Sequence, residues 1–475
     1  MGLGNSKAFD ALIKLRLGSS EAGIIQVGHL QASPVPDATA ATKAQIESLA
    51  RDGWNSQIQV FRQQETSAYF VSRLGRAEIE ITQFETILRK IDAAAAAAYG
   101  IPEQDFIVVG GGEGKAKKNE DDTADSKENE CDLASYAFGI AFGRWDIRYA
   151  TGEKAAPELP DPFAPLPVCP PGQLQNAQGL PARPEDVPAE YPVRIPWDGI
   201  LVDDPNHPLD VERRFREVTE IIWSGKEGGP TAEAIEHEAC DILGVKSLRD
   251  YFRKPAGFFA DHLKRYSKSR RQAPIYLPLS TASGSYTLWI YYHRLTPDTL
   301  YKCIQQFVAP KRKEVDAELD RLDRLAKAEE IGTKERRQME ALEELRRELA
   351  DFQTELEHWA PKWRPDLNDG VLITACPLWK LFRLPKWQKD LKACWAELEK
   401  GDYDWAHLAL TLWPDRVREK CRKDRSLAIA HGLEDLCEVK APEPKAKRAK
   451  KAKKATSGEM ETAPLLDGTE NPDGE

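Results

Sequence analysis

The amino-acid sequence predicts a mainly α-helical α+β protein. Most apolar residues recur at spacings of three and four, which is typical of amphipathic helices. Two β-rich runs, 274–279 and 286–292, are joined by the turn-forming sequence STASGS. We therefore expect a small β-hairpin module, an antiparallel helical hairpin, and a disordered charged loop and tail.

Residues 1–100 predict an apolar N-terminal segment followed by two helices. Residues 5–36 indicate an apolar helix and then an extended stretch that ends at Pro34-Val35-Pro36. Helices are expected over 40–63 and 77–99. The second ends in six alanines, which are strong helix formers, just before Gly100.

Residues 101–200 predict little regular structure. The segment 101–135 is a low-complexity charged loop of the kind that stays disordered. Within 136–200 a short helix is expected, and its small residues Gly139 and Gly143 favour close helix packing. Residues 157–196 hold 12 of the 32 prolines, so this part should wrap as an extended linker.

Residues 201–310 predict a basic, aromatic α/β module that contains helices at 209–223 and 231–243 and the two strands. Between Lys246 and Tyr276 there are nine Lys or Arg and two acids, a local net charge of 9 − 2 = +7 in a chain of net charge −10. A basic stretch interleaved with aromatic residues is typical of nucleic-acid contacts. A solvated helix face followed by two core strands would explain the pattern equally well.

The candidate DNA-binding residues are the cations of this stretch and the arginine that ends its second strand. They are Arg253, Lys254, Lys264, Arg265, Lys268, Arg270, Arg271 and Arg294.

The rest of the chain predicts helices and a tail. Leucines in a heptad-like pattern on both sides of Gly332 favour an antiparallel helical hairpin over 311–360, in the manner of a coiled coil. This hairpin could be a spacer or a docking element, or a surface feature that packs only on its own protein. Residues 361–440 form a Trp-rich helical domain in which helical spacing places most Trp residues in the core. Residues 441–475 form a disordered tail, basic and then acidic.

Other chemistry has weak support in the sequence. The pair Asp203-Asp204 could serve a metal or acid–base catalysis, but a loop-capping role is the favoured interpretation. The eight cysteines include no CxxC pair, which argues against a zinc ribbon and for reduced thiols. No segment has the length of a membrane span, and the N-terminus lacks the features of a signal peptide, so a cytoplasmic location is expected.

Several segments resemble the C-terminal part of large adenine-specific DNA methyltransferases. These are the PglX-like enzymes of the BREX and DISARM phage-defence systems and the related type IIG restriction-modification enzymes. The similar runs are Phe258 to Leu295, Gly139 to Trp145 and, near the end, DLNDGVLITACPLWKLF and DYDWAHLALTLWPDRV. Residues 5–36 resemble the end of a target-recognition domain in the same enzymes.

This resemblance implies the DNA-recognition half of such an enzyme, without its catalytic half. Methyl transfer to adenine requires a glycine-rich loop for S-adenosylmethionine and a loop of Asn or Asp, two prolines and an aromatic residue for the flipped adenine. The glycine-rich stretch has Lys115 where the last Gly of GxGxxG would be, and the only Pro-Pro here lies in Cys169-Pro170-Pro171-Gly172. No cofactor is therefore expected in this chain, and S-adenosylmethionine is implied for a catalytic partner. The implied partners are double-stranded DNA, a catalytic methyltransferase subunit or missing N-terminal half, and other defence-system proteins. There are two alternatives to a DNA-recognition half. The chain could be a protein-interaction scaffold of a defence complex without DNA contact, or a truncated gene fragment.

Overall fold

A computed structural model shows a mainly helical α+β chain, as the sequence predicts. The structure describes residues 35–73, 81–101, 133–223, 229–268, 271–328 and 332–437, together with Ser6 and Phe9. Most of the apolar N-terminal segment, the charged loop and the tail lie outside these residues. The chain divides into two compact units, Met1–Val417 and Arg418–Glu475. The module boundaries expected from the sequence stay predictions.

Two helices, α1 (Ala40–Phe61) and α2 (Ile81–Ala98), pack against each other near the start of the described chain. The Thr39 side chain accepts a hydrogen bond from the Thr42 amide and caps α1. Gly53 of α1 lies where a side chain would just touch Ile87 of α2. Both helices were predicted; the end of α1 differs from its predicted end by two residues and the end of α2 by one, and the predicted start of α2 at 77 lies outside the described residues.

The proline-rich segment wraps over neighbouring elements, as expected. The indole nitrogen of Trp54 donates to the carbonyl of Pro160 (3.0 Å), and the guanidinium of Arg62 donates to the carbonyl of Glu158 (2.7 Å). Farther along, the Gly172 amide donates to the carbonyl of Phe70 (2.8 Å). These contacts bind the segment to the end of α1 and the loop that follows it.

The middle of the chain builds a small sheet with short helices around it. The helices are α3 (133–141), α4 (Arg148–Thr151), α5 (Val211–Trp223), α6 (Ala232–Leu243), α7 (Leu248–Arg253) and α8 (Phe258–Arg265). The strands are β1 (Ile200–Val202), β2 (Ser267–Lys268), β3 (Arg271–Gln272), β4 (Tyr276–Ser280) and β5 (Thr287–Tyr291).

The main sheet is antiparallel and has the order β1-β5-β4, while β2 and β3 form a separate short hairpin. The β4–β5 hairpin was predicted, and β1 is an unpredicted third strand. In the register, Leu201 of β1 and Pro278 of β4 both lie opposite Trp289 of β5. Strand β4 is an edge of this sheet.

Aromatic rings fill the core between α3, the sheet and the helices α7 and α8. The ring of Phe138 on α3 lies 5.1 Å from Tyr276, 5.3 Å from Trp289, 5.2 Å from Phe252 and 4.7 Å from Phe258, centroid to centroid. All five side chains are buried. Ring pairs in edge-to-face or offset contact add stabilisation beyond the area that they bury.

The two glycines next to this core make the close packing possible. A Cβ atom at Gly139 would overlap the indole of Trp145, and one at Gly143 would overlap Ile195. Gly143 also has a φ of +69°, which favours glycine. The close packing expected for this segment is confirmed.

The C-terminal half of the first unit is helical. After α9 (Thr299–Lys302), a π-helical turn (Cys303–Val308) leads into α10 (Ala309–Ala328), which pairs with α11 (Thr333–Trp359). Arg312 donates to Gln353, and Gln338 donates to Glu318, so the two helices run antiparallel. The predicted helical hairpin is thus present.

The last described helices are α12 (Val371–Ala375), α13 (Pro385–Lys400), α14 (His407–Leu412), α15 (Pro414–Lys423) and α16 (Arg425–Ala430). Helical spacing predicts that most Trp residues here are buried, and this expectation is wrong. Of the six Trp side chains in 361–440, Trp363 and Trp387 are buried, Trp405 is 46% exposed, and Trp379, Trp395 and Trp413 are half-buried. The half-buried rings pack on one another or under cations instead.

Candidate nucleic-acid interface

The basic stretch is built on α7 and α8, whose apolar faces point into the aromatic core. The Ser247 hydroxyl accepts from the Asp250 amide (3.2 Å) and starts α7, which ends before Lys254-Pro255. Helix α8 begins after Gly257 and buries Phe258 and Phe259. Burial of these faces leaves Lys264 of α8 exposed, and Lys254, which follows α7, is exposed as well.

The structure places the eight candidate DNA-binding residues in three different situations. The side chains of Lys254 and Lys264 are exposed, and Arg265 is half-buried. Arg253 and Arg294 make contacts within the chain, as described below. The side chains of Lys268 and Arg271, and the whole of Arg270, lie outside the described part.

Arg253 belongs to a buried ion-pair network. Its Nε donates to the Asp203 carboxylate (2.7 Å), and Arg249 one turn earlier binds Asp203, Asp210 (2.8 Å) and Glu212 (2.6 Å). Burial opposes the charge on Arg249, but the hydrogen bonds and charges of these acids outweigh it and raise its pKa. This network fixes α7 against the loop that follows β1.

Asp203 and Asp204 therefore have structural partners. Asp204 accepts from the Asn206 amide (3.3 Å) and from the Lys311 ammonium group (2.9 Å). The favoured loop-capping interpretation is confirmed for Asp204. Among the residues that the structure describes, no group of three or more His, Cys, Asp or Glu side chains could hold a metal ion.

Arg294 braces the end of β5. Its guanidinium donates to the carbonyls of Pro196 (3.1 Å) and Gly143 (3.4 Å) and lies 4.7 Å above the ring of Trp197. Burial lowers the pKa of Arg294 from its ordinary value. Replacing Arg294 would therefore disturb the fold as well as any contact with DNA.

A buried polar network lies beneath the basic stretch. The hydroxyl of Tyr266 donates to Glu65 (2.8 Å), and Arg144 binds both groups. Next to it, the imidazole Nε2 of His262 accepts from the amides of Ile275 (2.9 Å) and Tyr276. These bonds hold the chain just before β2 and just after β3.

The sequence reasoning missed Arg383, which lies just after the Trp379 region. Its guanidinium donates to the carbonyl of Arg253 (3.0 Å) and lies over Gly284 in the β4–β5 turn, where a Cβ atom would overlap it. Arg383 brings another positive charge to the region of Arg253 and Lys254. The only sequence signal is a cation inside the apolar run Leu381-Phe382-Arg383-Leu384.

Comparisons with known proteins give one relationship. The chain is 28% identical over 191 residues to a protein of Escherichia coli O9:H4 (strain HS) described as adenine-specific methyltransferase BrxX. The match covers 37% of this chain and 15% of that protein, so the chain spans a small part of its relative's length. No family model matches the chain. In the part of the chain that the structure describes, no helix is long and apolar enough to cross a membrane.

Proposed function

We propose that this chain is a DNA-binding, non-catalytic part of an adenine-specific methyltransferase system of phage defence or restriction-modification. The similarity to BrxX supports the class of system. The observation that carries DNA binding is the exposure of two lysines, Lys254 after α7 and Lys264 on α8, with Arg383 near Lys254. The whole system would act in the cytoplasm.

The proposed contacts are to phosphate groups of the DNA backbone. Lysine and arginine bind phosphate without reading sequence, and each neutralised phosphate adds to the salt dependence of binding. Lys254, Lys264, Arg265, Lys268 and the Arg270-Arg271 pair would supply this positioning contact. Arg253 and Arg294 would also contact phosphate groups, in addition to the bonds that they make within the chain.

Methyl transfer in this proposal belongs to a partner that holds S-adenosylmethionine. An exposed apolar surface supports such a partner. Val35, Phe163, Leu166 and Val168 are exposed over 66% to 82% of their area, and Val35 and Phe163 line a cavity of about 290 Å³ beside α1. Exposed apolar patches of this kind usually mark interfaces. The catalytic part, with its Pro-Pro-aromatic loop, would bind there.

The experiment that tests DNA binding uses a double variant that carries both Lys254→Ala and Lys264→Ala. The double variant is compared with the wild-type chain. Affinity for a 30-base-pair duplex is measured by fluorescence anisotropy at several salt concentrations. Loss of two phosphate contacts should flatten the slope of log K against log salt by about two units. The weakening should be similar for all duplex sequences.

The control variant is Lys334→Ala, an exposed lysine on α11. It removes a positive charge far along the helical hairpin and should leave the slope unchanged. A slope that is the same in the wild type and the double variant would contradict the proposal. It would favour the scaffold alternative, in which the hairpin of 311–360 binds protein partners without DNA.

A further inference from the structure

The turn between β4 and β5 binds a carboxylate through three donors. The amide of Ser283 donates to Oε1 of Glu348 (2.9 Å), and the hydroxyls of Ser283 and Ser285 both donate to Oε2 (2.7 Å each). Glu348 comes from α11, more than sixty residues along the chain. The sequence STASGS thus forms an oxyanion-binding turn as well as a hairpin connection.

The turn is organised around this anion. Thr281 and Ser285 share a hydrogen bond (3.0 Å), and the Ser285 amide donates to the Ser283 hydroxyl (3.1 Å), which leaves both serine hydroxyl protons free for the carboxylate. Gly284 has a φ of +80° and closes the turn. Backbone amides and hydroxyls that converge on one point are also the donors that bind phosphate.

A positive charge lies beside the same turn. The guanidinium of Arg383 lies over Gly284, donates to the carbonyl of Arg253 and is close enough to Glu348 to interact with its charge, while the guanidinium of Arg253 is paired with Asp203. Burial raises the pKa of Glu348, but hydrogen bonds from Ser283 and Ser285 outweigh this and lower it overall. Glu348 is therefore bound as a carboxylate anion at neutral pH.

We propose that the Thr281–Tyr286 turn is a phosphate site for the nucleic-acid backbone, and that Glu348 occupies it when DNA is absent. The identity of the ligand rests on the proposed function. Glu348 is only partly buried, so rotation of its side chain frees the donors without movement of the helical hairpin. Glu348 then acts as an internal competitor that weakens binding to DNA until a phosphate group replaces it.

The test measures duplex binding by Glu348→Gln over a range of salt concentrations. The glutamine keeps the shape of the side chain and removes its charge, so phosphate enters the turn against a weaker competitor. We expect affinity at low salt to rise severalfold, because the incoming phosphate no longer has to displace a charged carboxylate from the turn.

Two further variants separate the turn from general charge effects. Glu343→Gln removes the same charge from an exposed position on α11 and should leave the affinity near the wild-type value. Adding Ser283→Ala and Ser285→Ala to Glu348→Gln removes the two hydroxyl donors, leaves only the Ser283 amide, and should cancel most of the gain. Unchanged affinity in Glu348→Gln, with DNA binding present in the wild type, would overturn this proposal and leave the proposed function intact.

Inorganic phosphate supplies a second measurement that needs no DNA. Phosphate should raise the melting temperature of Glu348→Gln more than that of the variant that also lacks both serine hydroxyls, since general salt effects are the same in both. Equal shifts in the melting temperature of the two variants would overturn the proposed phosphate site. If the wild type binds no duplex while phosphate still stabilises Glu348→Gln selectively, the proposed function fails and the anion site stands.

Discussion

Arg144 and Glu65 form a buried ion pair between positions 79 residues apart, with 2.9 Å between Nη1 and Oε1. Their side chains are 13% and 7% exposed. Trp145 also donates to Glu65 (3.3 Å), and the guanidinium of Arg144 lies 4.0 Å from the Trp145 ring. The pair joins the loop after α1 to the end of α3.

Replacing Glu65 by Ala should strongly destabilise the chain, because it leaves Arg144 as a buried charge without its counter-ion. The expected loss in the free energy of unfolding is about 3–5 kcal/mol, measured by urea denaturation. The matched control is Glu47→Ala, which breaks an exposed pair with Arg51 on α1 and should cost at most about 0.5 kcal/mol. A loss as small as that of the control would show that the buried pair contributes little.

Protonation of His262 should couple stability to pH. Burial, with the nearby charges of Arg265 and Arg144, holds the pKa of His262 well below its ordinary value. The folded ring therefore stays neutral where the unfolded ring gains a proton, so stability is full above about pH 6.5 and falls as pH decreases below it.

The variant His262→Gln tests this coupling. The free energy of unfolding, measured from about pH 5 to pH 7.5, should fall less steeply on acidification in the variant than in the wild type. The other histidines are present in both proteins, so the difference isolates His262. If the free energy of unfolding falls with pH in parallel for the two proteins, His262 takes up a proton equally in the folded and unfolded states.

Gly139→Ala should destabilise the chain, because the added methyl group would overlap the indole of Trp145. Overpacking of this kind costs about 1–3 kcal/mol. Gly53→Ala is the control: its Cβ would meet Ile87 at 3.5 Å, an ordinary contact, and alanine favours the helix by about 0.5–1 kcal/mol. Thermal unfolding should therefore shift in opposite directions for the two variants.

Methyl transfer should be absent from this chain alone, since its sequence lacks the adenine-binding Pro-Pro-aromatic loop. After incubation with duplex DNA and labelled S-adenosylmethionine, the label incorporated into the DNA should equal that in a reaction without protein. A chain that carries this loop serves as the positive control. Incorporation above background by this chain would contradict its assignment as a non-catalytic part.

Helices were predictable here because their signals are local. The capping residue Thr39, the alanine run before Gly100 and the Gly332 break define helix ends within a few residues. Strand β1 was missed because Ile200–Val202 is short and gains its strand character only by pairing with β5. Pairing between distant segments leaves no local pattern in the sequence.

The candidate site was predictable in composition and less so in geometry. The basic stretch could be identified by counting charges, but the count could not show that Asp203 neutralises Arg253 or that Arg294 binds backbone carbonyls. Arg383 and Glu348 reach the β4–β5 turn from more than sixty residues away in sequence. Both contacts depend on tertiary packing, which the local sequence around the turn does not encode.

The proline in the edge strand β4 has a consequence for self-association. At the two ends of the β4–β5 ladder, the Tyr292 amide donates to the Ile275 carbonyl and the Thr281 amide donates to the Tyr286 carbonyl. Hydrogen-bonded and non-hydrogen-bonded pairs alternate along an antiparallel ladder, which makes Pro278–Trp289 a non-hydrogen-bonded pair. The Pro278 nitrogen therefore points away from β5. That nitrogen carries no hydrogen to donate. A strand from another copy could not form a complete ladder on this side, and the sheet is thereby protected from edge-to-edge polymerisation.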